Sequence, residues 1–325
     1  MILAGDIGGT NTRLALCEPA GKGLRVVSEA RFPSRDHAGL VEIVQAFLAG
    51  AASGQTIELA CFGIAGPVKD GRCEATNLPW VIDARVLALA LGVGEVTLLN
   101  DLEANAYGIG ALGPDDLVTL NPGAPGARGN AAVIAAGTGL GEAGLFWDGH
   151  VHRPFATEGG HMTFAPRNDL EIDLLRYLLG RWPHVSFERV VSGPGLVNVY
   201  EFLRDTGRGT EDAAVAAQMK AGDPAAAVSR AALEGRSPLC GAALDLFVSL
   251  YGSEAGNLAL KTFATAGVYV AGGIAVNLAD TLASGPFIEA YLDKGRFRAL
   301  LEKIPVAIVL DTDIGLAGSR YHASL

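Results

Sequence analysis

The sequence predicts an α/β protein of two domains, and three observations carry that prediction. The chain has 325 residues, enough for about two domains at roughly 100–200 residues each. Short apolar runs of strand length alternate with segments of helical period. Each half also carries a glycine-bearing turn next to an apolar strand, at Gly8-Gly9 and at Gly137-Thr138-Gly139-Leu140-Gly141, which points to duplication.

Taken in order, residues 2–5 and 12–18 read as strands joined by Asp6-Ile7-Gly8-Gly9-Thr10-Asn11, a hairpin whose glycines suit positive φ. A third strand fits 24–32. Asp36 is placed to cap a helix running to about 49, and 57–62 reads as a buried strand. A helix over 83–91 and a strand over 95–99 follow, and Asn100-Asp101 opens a helix to about 112. The Pro/Gly-rich stretch 113–129 is a boundary zone that contains a strand-like run at 117–120. Strands then fit 131–136 and 142–147 around the second glycine turn. The remainder is rich in helices, at 169–180, 195–205, 211–219, 224–233 and 241–263, before a strand near 267–270 that ends on Ala271-Gly272-Gly273-Ile274.

Composition excludes several classes of function. Hydrophobic residues make up 50% of the chain and charged residues 18%, against roughly 25% charged in ordinary globular proteins, so a packed chain is expected rather than a disordered one. The 25 Lys plus Arg against 35 Asp plus Glu give a net charge of −10, which disfavours nucleic acid as a partner. The uncharged stretch between Lys261 and Asp280 is interrupted by Gly267, Gly272-Gly273, two threonines and Asn277, so it reads as a buried strand and turn rather than a membrane span. The N-terminus lacks a basic leader, and cysteines 17, 61, 73 and 240 form no C-x-x-C pair. A cytosolic protein with reduced thiols is the expectation.

The usual nucleotide fingerprints fail. There is no G-x-x-x-x-G-K-[ST] loop, and the two G-x-G-x-x-G matches, at 108–113 and 139–144, lack the strand-to-helix context that a dinucleotide site requires. What remains is the first hairpin. Its glycines let backbone N–H groups approach phosphate oxygens, and the carboxylate of Asp6 at the strand end suits hydrated Mg²⁺. The turn at Gly137-Thr138-Gly139 and the Gly272-Gly273 pair supply further backbone donors for a nucleotide. Asp101, after the strand, is either a helix N-cap or a base that accepts a hydroxyl proton during phosphoryl transfer, with Asn100 holding the acceptor.

Glu158-Gly159-Gly160-His161 sets a carboxylate and an imidazole around two glycines. That spacing discourages a helix, and so a metal pair, and suits either hydrogen bonding to a polyol or a self-satisfied loop. His150 and His152 read as strand-edge residues. Trp80, Trp147 and Trp182 read equally as core or as sugar-stacking platforms. Near Glu188, Ser192 or Gly193 is placed as an N-cap with Pro194 at the first helical position. Spacing does not decide whether Glu188 faces solvent or a cleft.

In this order, G-D-I-G-G-T-N at 5–11, L-N-D at 99–101, G-T-G-L-G at 137–141, E-G-G-H at 158–161, E-R-V-V-S-G-P-G-L-V-N at 188–198 and A-G-G-I at 271–274 resemble the bacterial glucokinases. The likeness extends nearly end to end, through Asp293-Lys294-Gly295-Arg296-Phe297. The resemblance implies the fold of the sugar kinase, heat-shock chaperone ATPase and actin superfamily, two ribonuclease-H-like domains flanking a cleft. Residues 1–111 with about 304–325 would form the smaller domain and 112–303 the larger, helix-rich one. It also implies ATP-dependent phosphorylation of glucose, with Asp101 as general base. Asn100, Asp101, Glu158, His161 and Glu188 would contact glucose. Gly5, Asp6, Ile7, Gly8, Gly9, Thr10, Asn11, Gly137, Thr138, Gly139, Gly272 and Gly273 would hold ATP, with Asp6 reaching Mg²⁺ through water. A homodimer is implied as well. The Cys-rich zinc motif of the related repressors and open-reading-frame kinases is absent from the sequence, which favours the zinc-free group. The rivals are a kinase for another hexose or amino sugar, a non-catalytic sugar-binding regulator, and a chaperone- or filament-type ATPase.

Overall fold

A computed structural model describes residues 1–20, 23–51, 56–75, 77–311 and 313–324. Positions 21–22, 52–55, 76, 312 and 325 belong to the segments 1–111 and 304–325 expected to form the smaller domain and lie outside the described residues. The chain divides into a first unit of Met1–Pro114, Asp148–Ala156 and Asp311–Leu325 and a second of Asp115–Trp147 and Thr157–Leu310.

The first unit is organised by β1 (Ile2–Ile7), which is buried along nearly its whole length and takes a central position in its sheet. It pairs antiparallel with β2 (Asn11–Ala20), which pairs antiparallel with β3 (Gly23–Pro33). After α1 (Leu40–Ala51) comes β4 (Leu59–Ile64), parallel to β1. The chain then forms a small antiparallel sheet of β5 (Val68–Lys69), β6 (Arg72–Glu74) and β7 (Val81–Asp83). Next are α2 (Ala84–Leu91), β8 (Glu95–Asn100), parallel to β4, and α3 (Asp101–Gly108). The main sheet runs β3-β2-β1-β4-β8.

Local chemistry explains these boundaries. Asp83 Oδ1 accepts hydrogen bonds from Arg85 N and Val86 N, and Gly92 ends α2 in the left-handed conformation at φ 66°. Asp36, by contrast, caps no long helix. It lies in a short 3₁₀ turn, Ser34–Asp36, and α1 begins at Leu40, where Glu42 reaches back to accept the Ala38 N–H. The apolar period was real, since Leu40, Ile43, Val44 and Phe47 form the buried face, but the start signal was Glu42 rather than Asp36.

The second unit repeats the opening pattern. After β9 (Leu117–Asn121), β10 (Ala131–Ala136) and β11 (Leu140–Trp147) make an antiparallel hairpin across the glycine turn. β12 (His152–Thr157) follows, most of it grouped with the first unit. β13 (Gly267–Ala271) lies parallel to β10, β14 (Val306–Val309) parallel to β13, and β9 closes the edge antiparallel to β14. In both units a hairpin's first strand pairs in parallel with a later strand, a repetition in keeping with the duplication that the two glycine turns suggested.

Among the described residues, the five longest helices of the second unit all have capped starts. α4 (Asp169–Leu179), α5 (Gly193–Asp205), α6 (Ala213–Ala221), α7 (Pro224–Leu233) and α8 (Pro238–Thr262) start on Asn168, Ser192, Asp212, Asp223 and Ser237, each with a side-chain oxygen accepting backbone N–H groups. Most of α8 is buried, from Leu239 to Ala259, with Asp245 and Lys261 among its exposed positions. Within it Tyr251 is fully buried, and its hydroxyl accepts from Ala136 N at 3.1 Å, tying the helix to the end of β10.

All four cysteines are buried and free. Among the described residues no helix is long and apolar enough to cross a membrane. The C-terminal helix Ile314–His322 is pinned to the first sheet by the buried Ser319, whose hydroxyl accepts from Gly63 N at 3.1 Å and lies 3.0 Å from Gly5 O. Ser319→Ala strands that amide, and its expected cost of about 1–3 kcal/mol is checked by the denaturant midpoint.

Candidate active site

In the first unit, the hairpin 8–11 is closed by Gly8 N donating to Asn11 O at 2.9 Å. Ser34 braces it from outside, its hydroxyl donating to Gly8 O at 2.7 Å and its amide to Thr10 O at 3.0 Å. The expectation of positive φ here does not hold, because neither Gly8 nor Gly9 adopts the left-handed backbone. Space is the reason for glycine instead: a Cβ on Gly9 would lie 2.6 Å from Asn77 Cβ.

Asp6 is the next-to-last residue of β1, with its carboxylate 3.4 Å from where a Gly315 Cβ would stand, in the first turn of the C-terminal helix. Burial pushes its acid up to about 6, opposed by Arg13 and reinforced by the charge of Asp101. Asp6 and Asp101, 95 positions apart in sequence, therefore share one electrostatic environment.

Asn100 is the N-cap of α3. Its Oδ1 accepts Leu102 N at 2.9 Å, and its Nδ2 donates to Gly66 O at 2.9 Å. The capping role weighed for Asp101 thus falls mainly to its neighbour, although Asp101 Oδ1 also lies 2.9 Å from Leu102 N. The cap holds Asp101 at the carboxyl end of a parallel strand, where α/β sheets gather ligands.

In the second unit, Glu158, His161 and Glu188 come together. His161 Nε2 lies 3.8 Å from Glu158 Oε2, and its Nδ1 lies 4.0 Å from Glu188 Oε1. Glu158 and His161 are largely exposed, whereas the Glu188 side chain is 27% exposed. The double glycine was expected to discourage a helix, and the segment forms only a single 3₁₀ turn, Gly159–His161. Glu188 Oε2 accepts Leu140 N at 3.0 Å, so its carboxylate is anchored on the second glycine turn. A Cβ on Gly139 would stand 2.5 Å from that oxygen.

Close to this turn is a cavity of about 630 Å³. Gly137, Thr138, Pro194, Leu196, Ile274 and Asn277 contribute to a mainly apolar lining, a size and character that suit a nucleoside. Gly193 N donates to Gly137 O at 2.8 Å, joining the start of α5 to the turn. Gly272 takes φ 89°, and a Cβ there would lie 2.7 Å from Ala136 O, so both conformation and space call for glycine. Sequence reasoning identified the glycines of this wall and read Ser192-Gly193-Pro194 only as a corner. Asn277 carried no signal, since only the fold brings it to the cavity. Of the tryptophans, Trp80 is core, and Trp182 is covered by the guanidinium of Arg189 at 4.7 Å.

The family model for glucokinase matches residues 3–325. The chain belongs to the glucokinase family. A glucokinase of Nostoc sp. is 43% identical over 338 residues, covering 100% of this chain and 99% of that protein. A glucokinase of Synechocystis sp. is also 43% identical, over 99% of this chain and 97% of its own length. Among solved structures, a glucokinase from an Antarctic psychrotroph superposes with a TM-score of 0.87 at 32% identity, covering 99% of this chain and 98% of that one. A ROK family glucokinase from Streptomyces griseus, solved with glucose and AMPPNP, shares the fold at a TM-score of 0.64 and 24% identity, covering 99% and 98%. The six ordered motifs therefore assigned the glucokinase family correctly.

The buried Asp6 yields a prediction. Its folded-state acid is raised from 3.8 to about 6, so its contribution to stability is complete below pH 3.8 and is lost as pH rises through about 6. Without nucleotide or metal, Asp6→Asn melts at a higher temperature than wild type at pH 7.5, and the difference shrinks toward pH 4. Thermal scans across that range check it.

Proposed function

We propose that this member of the glucokinase family transfers the γ-phosphoryl group of ATP to the 6-hydroxyl of glucose, with Asp101 as general base. The observation that supports it most is the placement of Asp101 at the end of β8, beside the Asn100 cap and in electrostatic reach of Asp6. A carboxylate there accepts the hydroxyl proton as the oxygen attacks phosphorus. The compact units are taken as ribonuclease-H-like domains. On this reading Asp101 is the base, Gly5–Asn11 the phosphate hairpin, and Glu158, His161 and Glu188 the hexose contacts. Asn100 orients the same sugar through the Nδ2 hydrogen that its bond to Gly66 leaves over.

The nucleoside of ATP fits the cavity walled by Gly137, Thr138 and Ile274, and Gly139 and Gly272-Gly273, adjacent in sequence to that wall, would offer backbone donors. Mg²⁺ fits the donor chemistry of Asp6, a hard oxygen ligand whose burial as an anion a cation would offset. Among the described residues no cluster of three His, Cys, Asp or Glu could hold a metal, so phosphate oxygens and water make up the remaining ligands. When bound, the ion neutralises charge on the transferring group. On the same family reading the enzyme is a cytosolic homodimer.

A coupled assay for glucose 6-phosphate, run with a panel of sugars and donors, tests this function. Glucose with ATP is the expected pair. Asp101→Ala lowers kcat by about 10²–10⁴-fold while glucose binding persists. Undiminished turnover, or ATP hydrolysis indifferent to sugar, contradicts the assignment.

A further inference from the structure

Directly beneath the Glu158–His161 turn lies a charged group that the phosphoryl-transfer scheme leaves unused. Glu142 of β11 is 1% exposed, and neither of its carboxylate oxygens accepts a hydrogen bond. Opposite it on α8, Glu254 is equally buried but fully provided for: Lys261 Nζ donates to its Oε1 at 2.7 Å and Asn257 Nδ2 to its Oε2 at 2.7 Å. Lys261 Nζ is 3.6 Å from Glu142 Oε2. Two buried carboxyls thus share one ammonium. An uncompensated second anion in such a place is costly, and a proton on Glu142 removes it.

The turn rests on this group. A Cβ on Gly159 would collide with Glu142 Oε2, so the backbone of the turn lies directly against the carboxyl. Thr157 Oγ1 donates to Glu142 O at 2.8 Å just before the turn, and Met162 Sδ lies 3.5 Å from Lys261 Nζ just after it. We propose that Glu142 is a positioning residue of the hexose site, a carboxylic acid kept protonated against Glu254 and Lys261, on which the Glu158–His161 turn is seated.

This rests on the reading of Glu158 and His161 as glucose contacts. It is consistent with the electrostatics: burial first, then the charge of Glu254, push the Glu142 acid up to about 8 against the opposing pull of Lys261. The titratable groups that act on it are Glu254, Lys261 and the fully buried Tyr251, all on α8. Ionising Glu142 places a second anion under Gly159, disturbs the turn and weakens glucose binding. Because the folded-state acid is raised from 4.5 to about 8, its contribution to stability is complete below pH 4.5 and is lost as pH rises through about 8.

The test measures glucose Kd calorimetrically, without nucleotide, from pH 6.5 to 9.5 for wild type and Glu142→Gln, with melting temperatures under the same conditions. Wild-type Kd is expected to rise by about tenfold or more across the upper part of that range, following one ionisation. Glu142→Gln keeps the neutral shape, binds glucose like wild type at pH 7, and shows neither the rise in Kd nor the fall in melting temperature. A melting slope that Glu142→Gln removes, alongside a glucose Kd with the same pH dependence in both proteins, overturns the positioning role and leaves a purely structural acid. Equal pH dependence of both quantities in the two proteins overturns the protonated state itself. Failure of wild type to bind glucose at pH 7 refutes instead the hexose reading on which the proposal stands.

Discussion

The hydrogen bond from Leu140 N–H to Glu188 Oε2 ties the second glycine turn to the cluster of Glu158, His161 and Glu188. One carboxylate is committed through Oε2 to the glycine turn and presents Oε1 toward His161. A hydrogen bond to a charged acceptor contributes about 1.5–3 kcal/mol, enough to fix a side chain that would otherwise sample several rotamers. The turn that borders the cavity and the side chains proposed to grip the hexose are therefore tied to the same carboxylate. Gly139 makes the approach possible by offering nothing to collide with, and Tyr251 holds the strand end just before it.

Buried carboxyls recur in both units, with different consequences. Asp6 has Arg13 to support its charged form, which fits the proposed Mg²⁺ role. Glu142 lies across from a carboxylate that already claims Lys261, which suits a neutral acid. Each carries a desolvation cost that an apolar residue would avoid. Such costs gather where activity, rather than stability, sets the requirement.

Much of this was legible in the sequence because the signals were local. The strand 131–136 and the helix 224–233 coincide with β10 and α7, the first an uninterrupted apolar run and the second framed by Asp223 and Pro224. The Ser192 cap and the short turn at Glu158–His161 followed from backbone chemistry alone. What escaped was either too short or non-local. β5, β6 and β7 have two or three residues each, below the length at which alternation shows, and β14 is a four-residue run that only its neighbours identify as a strand. Gly9 was read as a conformational need because its collision partner, Asn77, comes from a distant segment. The anchor of Glu188 on Leu140 spans 48 positions, and Glu142 looks like any acid in an alternating strand until Glu254 and Lys261 are brought against it.

The central claim, that one carboxylate joins the second glycine turn to the proposed hexose contacts, is most directly tested by the steady-state kinetics of Gly139→Ala with ATP and glucose varied in turn. The new methyl would stand 2.5 Å from Glu188 Oε2 and must displace it. The account predicts that KM rises for both substrates, with the fold intact by thermal melting. A rise confined to ATP, with the glucose KM unchanged, would contradict it.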